Sequence, residues 1–185
     1  MSEINQVKQH ISKWVDQFII SLNLCPFAKA VFPKQTLIEV CPKSDFEDIH
    51  AFIINQIEHL LSKDEQDVAT SLLVVPFGLS DFDEFLDLLD VLENQLEDTQ
   101  LDNHIQIAPF HPNFEFESSD DSSETTASLK TNQAPYPIFH LLRVKQVEQV
   151  LTTDDMSDNI VQRNKDVLNE MGIQKIDELF ESLKK

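Results

Sequence analysis

The chain has 185 residues, 41% of them hydrophobic, and carries 33 acidic against 14 basic side chains, for a net charge of −19 at pH 7. That length suits one domain with a substantial core, and the apolar content is that of a folded protein rather than a disordered one. A field of this sign repels phosphate backbones and anionic lipid headgroups, so neither nucleic acid nor a membrane is expected as a partner, and the acidity reads as a solubilising surface.

The first residues, Met1 to Gln6, are polar and lack the apolar core of a signal peptide. No run approaches the ~18 apolar residues of a membrane helix. Two cysteines, Cys25 and Cys41, are too few for a disulfide framework and fall in no metal-ligand spacing, which fits a reducing compartment. The expected location is the cytoplasm.

Ile4, Val7, Ile11, Val15, Phe18, Ile19 and Leu22 recur at helical spacing and predict one amphipathic helix that stops near Asn23, ahead of Pro26. Residues 36–41 read as a short strand closed by Pro42. Ser44 and Glu47 form a capping-box pattern opening a helix over 44–62, with Phe46, Ile49, Ile53, Ile57 and Leu60 on its apolar face. Residues 70–76 are continuously apolar at strand length, as in a strand covered on both faces. Ser80 then caps a helix over 81–98, and 104–108 form a third strand.

From 115 to 134 the chain turns acidic and rich in Ser, Asp and Thr, with no periodicity. It reads as a loop or lid, since long loops in compact domains tend to be functional or disordered. The fourth strand spans 138–142, and a short helix begins around Val147. A helical tail over 157–183 is broken at Gly172, a C-cap. Strands alternating with amphipathic helices predict a single α/β domain over 1–185. Its sheet, of about four strands, is mixed or parallel, and helical segments stand at both termini.

In open α/β sheets ligands bind beyond the carboxyl ends of the strands. That rule gathers Cys41, the corner at Gly78, the corner at His111, and Arg143, provided the fourth strand runs parallel to the others. Gly78 is expected for its backbone freedom at a strand-to-helix turn. His111, between Phe110 and Pro112, suits a general acid or base, and otherwise a capping residue bonded to a loop carbonyl. His140 lies within an apolar run, either as a ligand-binding group or as a hydrogen-bonded core histidine. On a strand, His140 and Arg143 face opposite ways; on a helix they would meet.

The chain has two arginines, Arg143 and Arg163. A guanidinium at the end of a buried segment suits either bidentate recognition of a carboxylate or phosphate, or an internal ion pair. Cys25 precedes Pro26, which suits the first position of a short helical turn over 26–30. As its N-cap the thiol would be acidified and could act as a nucleophile; otherwise it is a buried small apolar residue. A zinc site from Cys25, His111 and His140 has no local ligand pairing behind it, so no metal and no cofactor is expected.

Leu22-Asn23-Leu24-Cys25-Pro26-Phe27-Ala28, then Phe110-His111-Pro112, then Thr131-Asn132 and Pro135-Tyr136-Pro137 through His140-Leu141-Leu142-Arg143 resemble an uncharacterised bacterial family, domain of unknown function 1415 (DUF1415). The resemblance spans nearly the whole chain and implies a single cytosolic domain without assigning an activity. It singles out Asn23, Cys25, Pro26, Phe27, His111, Pro112, Asn132, Pro135, Tyr136, Pro137, His140 and Arg143. The chain departs from the family pattern at Gln133 and Ala134, in place of an arginine and a serine, and at Val144, in place of an acidic residue.

The reading that follows is a small-molecule-binding protein or enzyme acting on an anionic ligand, a carboxylate or phosphate. His111 and Cys25 would be catalytic, Arg143, Asn132, Tyr136 and His140 ligand-binding. The competing expectation is a non-enzymatic adaptor with structural His, Cys and Arg residues, whose acidic surface meets a basic protein.

Overall fold

A computed structural model describes residues 2–114, 127–150 and 155–183. Seven α-helices and four strands occupy them: α1 Glu3–Trp14, α2 Pro26–Val31, β1 Thr36–Val40, α3 Phe46–Ser62, β2 Thr70–Val74, α4 Phe82–Asp98, β3 Ile105–Phe110, β4 Ile138–Arg143, α5 Val144–Val150, α6 Asp155–Met171 and α7 Ile173–Leu183. A π-helical stretch, Val15–Ile20, prolongs α1, and a 3₁₀ turn, Ser128–Asn132, precedes β4. The predicted N-terminal helix is therefore two segments. Widening at Val15 keeps Val15, Phe18 and Ile19 buried, and the run ends where Asn23 turns to φ +55°.

The four strands form one mixed sheet in the order β1-β2-β4-β3. β1 and β2 are parallel, whereas β4 is antiparallel to both of its neighbours. This departs from the parallel fourth strand that the strand-end site required. Ile138 pairs with Phe110, so β4 begins beside the end of β3 and runs back along it. Arg143, at the far end of β4, pairs with Ile105 at the start of β3 and thus lies at the opposite end of the strands from His111.

β2 is buried along its whole length, as its continuous apolarity predicts for a strand covered on both faces. Side chains alternate between two cores. Leu73, Val75, Ile105, Ile107, Phe139 and Leu141 face α3 and α4. Val40, Leu72, Val74 and Ile138 face α1, the π-helical stretch, α6 and α7. Pro109 sits on β3, an edge strand, where a missing backbone donor interrupts no central ladder.

Several local expectations change. The N-cap of α3 is Asp45, and the Ser44 capping box does not form; Asp81, not Ser80, caps α4 by accepting from the N–H groups of Asp83 and Glu84. Gly78 serves close packing rather than backbone freedom. A Cβ there would come within 2.7 Å of the Ser44 carbonyl oxygen and of Ile49 Cδ1. Gly172, at φ +80°, ends α6 as its position in the sequence predicts. Most of the acidic segment read as a lid, residues 115–126, lies outside the described residues. No helix among the described residues is long and apolar enough to cross a membrane.

Candidate functional site

The register of the sheet puts Thr36, Thr70, Leu72, Phe110 and His140 on one face. Thr36 pairs with Thr70, and Leu72 with His140. Above this face a cavity of about 410 Å³ opens beneath the π-helical stretch, α2 and α6. Trp14, Ile19, Leu24, Phe27, Val31 and Phe32 make its apolar wall. Cys25, Asn132 and His140 meet in its lining, with Thr131, Asn164 and Lys165. Three of the residues marked out in the sequence thus come together, over the sheet face rather than beyond the strand ends.

The remaining three lie elsewhere. His111 is fully buried on the opposite side of the sheet, against Phe82 and Phe85. Its Nε2–H donates to the Leu79 carbonyl at 2.9 Å, and its Nδ1 accepts from the Asn113 N–H at 3.1 Å. Both ring nitrogens are committed to backbone, and Leu79 itself holds a φ of +56°. His111 is the loop-capping histidine, not a group facing the cavity. Burial moves its pKa down and keeps it neutral.

Tyr136 bonds His10 of α1 through its hydroxyl, at 2.8 Å, and ties the Pro-Tyr-Pro approach of β4 to the first helix. Arg143 resolves into neither of its two expected roles. Its Nη2 donates to the carbonyls of Leu60 and Lys63 at 2.7 and 2.9 Å, and its Nε to that of Val68 at 3.2 Å. It is a cap on the last turn of α3, where free carbonyls and the helix dipole both favour a cation.

At the cavity, Cys25 is the N-cap of α2, with Pro26 at the first helical position, as predicted. Its Sγ accepts from the Ala28 N–H at 3.4 Å. The expected acidification does not follow, because desolvation outweighs the backbone N–H groups of Ala28 and Phe27 and pushes the thiol pKa up. Cys25 is a protonated thiol near neutral pH.

His140 makes a short contact, 2.7 Å, between Nε2 and Thr70 Oγ1, and the same hydroxyl lies 2.6 Å from the Leu141 carbonyl. Thr70 has one proton and the carbonyl can only accept, so the hydroxyl donates to Leu141 and accepts from His140 Nε2–H. The lone pair is then on Nδ1 of a ring that lines the cavity. Burial lowers the His140 pKa to about 4, so the ring is neutral at pH 7.

Asn132 spans the two faces at the end of β3. Its backbone carbonyl accepts from the His111 N–H at 3.1 Å, and its Nδ2 donates to the Pro109 carbonyl at 3.2 Å.

Sequence reasoning missed four contributors: Trp14, Thr70, Asn164 and Lys165. Trp14 is only 1% exposed and stands edge-on to Phe110, ring centroids 5.2 Å apart. Its indole Nε1–H finds no acceptor among the described residues, and neither does the Thr36 hydroxyl find a partner. A buried unpaired donor costs about 1–3 kcal/mol, so both are unusual in a cavity wall. Being the chain's one tryptophan is the single signal in the sequence that could have marked Trp14.

The architecture is a single α/β domain whose mixed sheet carries a partly open, mostly apolar cavity on one face. The chain belongs to the family described as "Protein of unknown function (DUF1415)", whose model matches residues 6–178. No curated protein and no solved structure matches it.

Proposed function

We propose that this chain is a small-molecule-binding protein whose ligand, an organic anion, occupies the cavity between the sheet and helices α2 and α6. The observation that carries the reading is the cavity of about 410 Å³ in whose mostly apolar lining Cys25, Asn132 and His140 meet. Ligand pockets are commonly of this size, mainly apolar with a few converging polar groups. Here those groups include Cys25, Asn132 and His140. Binding is favoured over catalysis, since the thiol of Cys25 and the ring of His140 are both held uncharged and neither is poised as nucleophile or strong base. The two free cysteines suit a cytoplasmic protein.

A thermal-shift screen against organic acids and their neutral analogues tests this, with Ala28→Leu beside the natural protein. Ala28 lines the cavity, so the larger side chain fills it. A ligand at a hundredfold excess over its dissociation constant stabilises by about 2.7 kcal/mol, which raises the melting temperature by roughly 5–11 °C for a domain of this size. The shift is expected in the natural protein and not in Ala28→Leu. Absence of any shift would favour the competing reading of an adaptor for a basic protein, which the structural roles of Arg143 and His111 also support.

A further inference from the structure

We infer that the organic anion is a carboxylate bound together with one proton, taken up from solvent and held between a ligand oxygen and Nδ1 of His140; this rests on the reading of the cavity as a binding site. His140 gives its Nε2–H to Thr70 Oγ1, because that hydroxyl gives its own proton to the Leu141 carbonyl. Nδ1 therefore carries a lone pair. It receives no hydrogen bond among the described residues, and it is not one of the buried atoms left without a partner. The ring is partly exposed, and the cavity is what it lines.

An open acceptor thus stands in the lining, and a carboxylate, which can only accept, has nothing to give it. Two lone pairs face to face repel, and a single proton between them makes a hydrogen bond instead. Burial adds to the demand, since a carboxylate taken out of water without a matching charge tends to gain a proton. The titratable or charged side chains that share the lining with His140 are Cys25, ahead of α2, and Lys165, on α6. Among the described residues, α1, the π-helical stretch, the 3₁₀ turn and strands β1, β2 and β3 contribute none. Cys25 is a protonated thiol, and Lys165 is already engaged. No carboxylate of the lining competes for the proton.

Placed on the ring, the proton gives an imidazolium beside a carboxylate; placed on the ligand, it gives a carboxylic acid donating to Nδ1. Both complexes hold the same single proton, so the count is independent of which partner keeps it. The rest of the wall sets the body of the acid. Phe27, Phe32 and Phe110 line it with aliphatic side chains between them. An engineered apolar cavity of about 150 Å³ accepts benzene, so one of 410 Å³ accommodates roughly a dozen heavy atoms, loosely packed.

The test uses 3-phenylpropanoate, 3-phenylpropanamide and methyl 3-phenylpropanoate, titrated calorimetrically over about pH 5.5 to 7.5. There an ordinary carboxylic acid and His140 are both deprotonated when apart. Affinity for the acid is expected to fall about tenfold for each unit of rising pH, with one proton counted from the heats in buffers of different ionisation enthalpy. The amide carries an N–H at every pH, so its affinity should stay constant. His140→Met removes the acceptor: amide and acid should weaken at least about tenfold and the ester, which has no donor, less than about twofold. An affinity for the acid that ignores pH would overturn the proton and leave the cavity standing as an anion site, and it is read in the natural protein alone, whether or not the variant folds. Amide and ester weakened alike in a folded variant would overturn it too, as would binding of those two without the acid. If none of the three compounds binds the natural protein, the proton and the binding reading fall together.

Discussion

The hydroxyl of Thr70 accepts a hydrogen bond from His140 across adjacent antiparallel strands, at 2.7 Å, while giving its own proton to the Leu141 carbonyl. Thr70 is paired with Leu142, so it reaches His140 diagonally on the shared face of the sheet. One threonine therefore sets which nitrogen of the cavity histidine carries the proton.

Stability should fall with acid because of this histidine. An unfolded imidazole titrates near 6.5, whereas His140 in the fold titrates at about 4. Between those values the unfolded chain takes up a proton that the folded one refuses, so stability drops as pH falls from about 6.5 towards 4, by about 3 kcal/mol in full. His111, also lowered, acts in the same direction. His140→Gln keeps a donor for Thr70 but does not titrate. Urea unfolding across this range should show a shallower decline for the variant, and parallel curves would contradict the assignment.

Arg143 should behave as a structural residue. Removing it leaves the carbonyls of Leu60, Lys63 and Val68 without their donor, so Arg143→Ala should lose about 3 kcal/mol. Lysine, with a compact ammonium on a flexible stem, cannot reproduce three contacts from one planar fork. Arg143→Lys should recover less than half of the loss in denaturant titration. Full recovery, or a loss below about 0.5 kcal/mol, would show that the cap contributes little.

His111→Ala should cost about 2–4 kcal/mol, because it strands the Leu79 carbonyl and the Asn113 N–H and opens a void against Phe82 and Phe85. Ligand binding in the cavity should persist in the folded fraction, since the ring lies across the sheet from it. Loss of binding in a folded His111→Ala protein would place this histidine back in the site.

Cys25 should be a sluggish thiol. Burial raises its pKa above the ordinary cysteine value, which lowers the thiolate fraction near neutral pH. Iodoacetamide labelling followed by mass spectrometry, over pH 7 to 10, should show modification rising late and more slowly than for free cysteine. Fast labelling at pH 7 would mean that the helix N-terminus, not desolvation, governs this thiol.

Periodicity and punctuation made much of the fold legible. The apolar stripes of α3 and α4, the continuous run of β2, the Cys25-Pro26 start of α2 and the Gly172 stop are local patterns, each read from residues a few positions apart. The period of two along a strand is by itself enough to separate His140 from Arg143. Cap identity was less legible, because Ser44 and Ser80 each stand one residue before an aspartate equally suited to the role.

What sequence could not decide was direction and long-range partnership. Nothing local in residues 138–143 states that β4 inserts antiparallel between β2 and β3, yet that reversal sends Arg143 to the C-terminus of α3 and away from His111. Phe110 and His111 are adjacent in the chain, but one lines the cavity and the other packs against α4's phenylalanines. The sequence by itself determined the α/β class, the helical faces and the residues worth watching, because those follow from short-range spacing. Only the tertiary structure brought Cys25, Asn132 and His140 together with Trp14 and Lys165, because contacts between distant segments depend on strand order and on which face of the sheet each side chain meets.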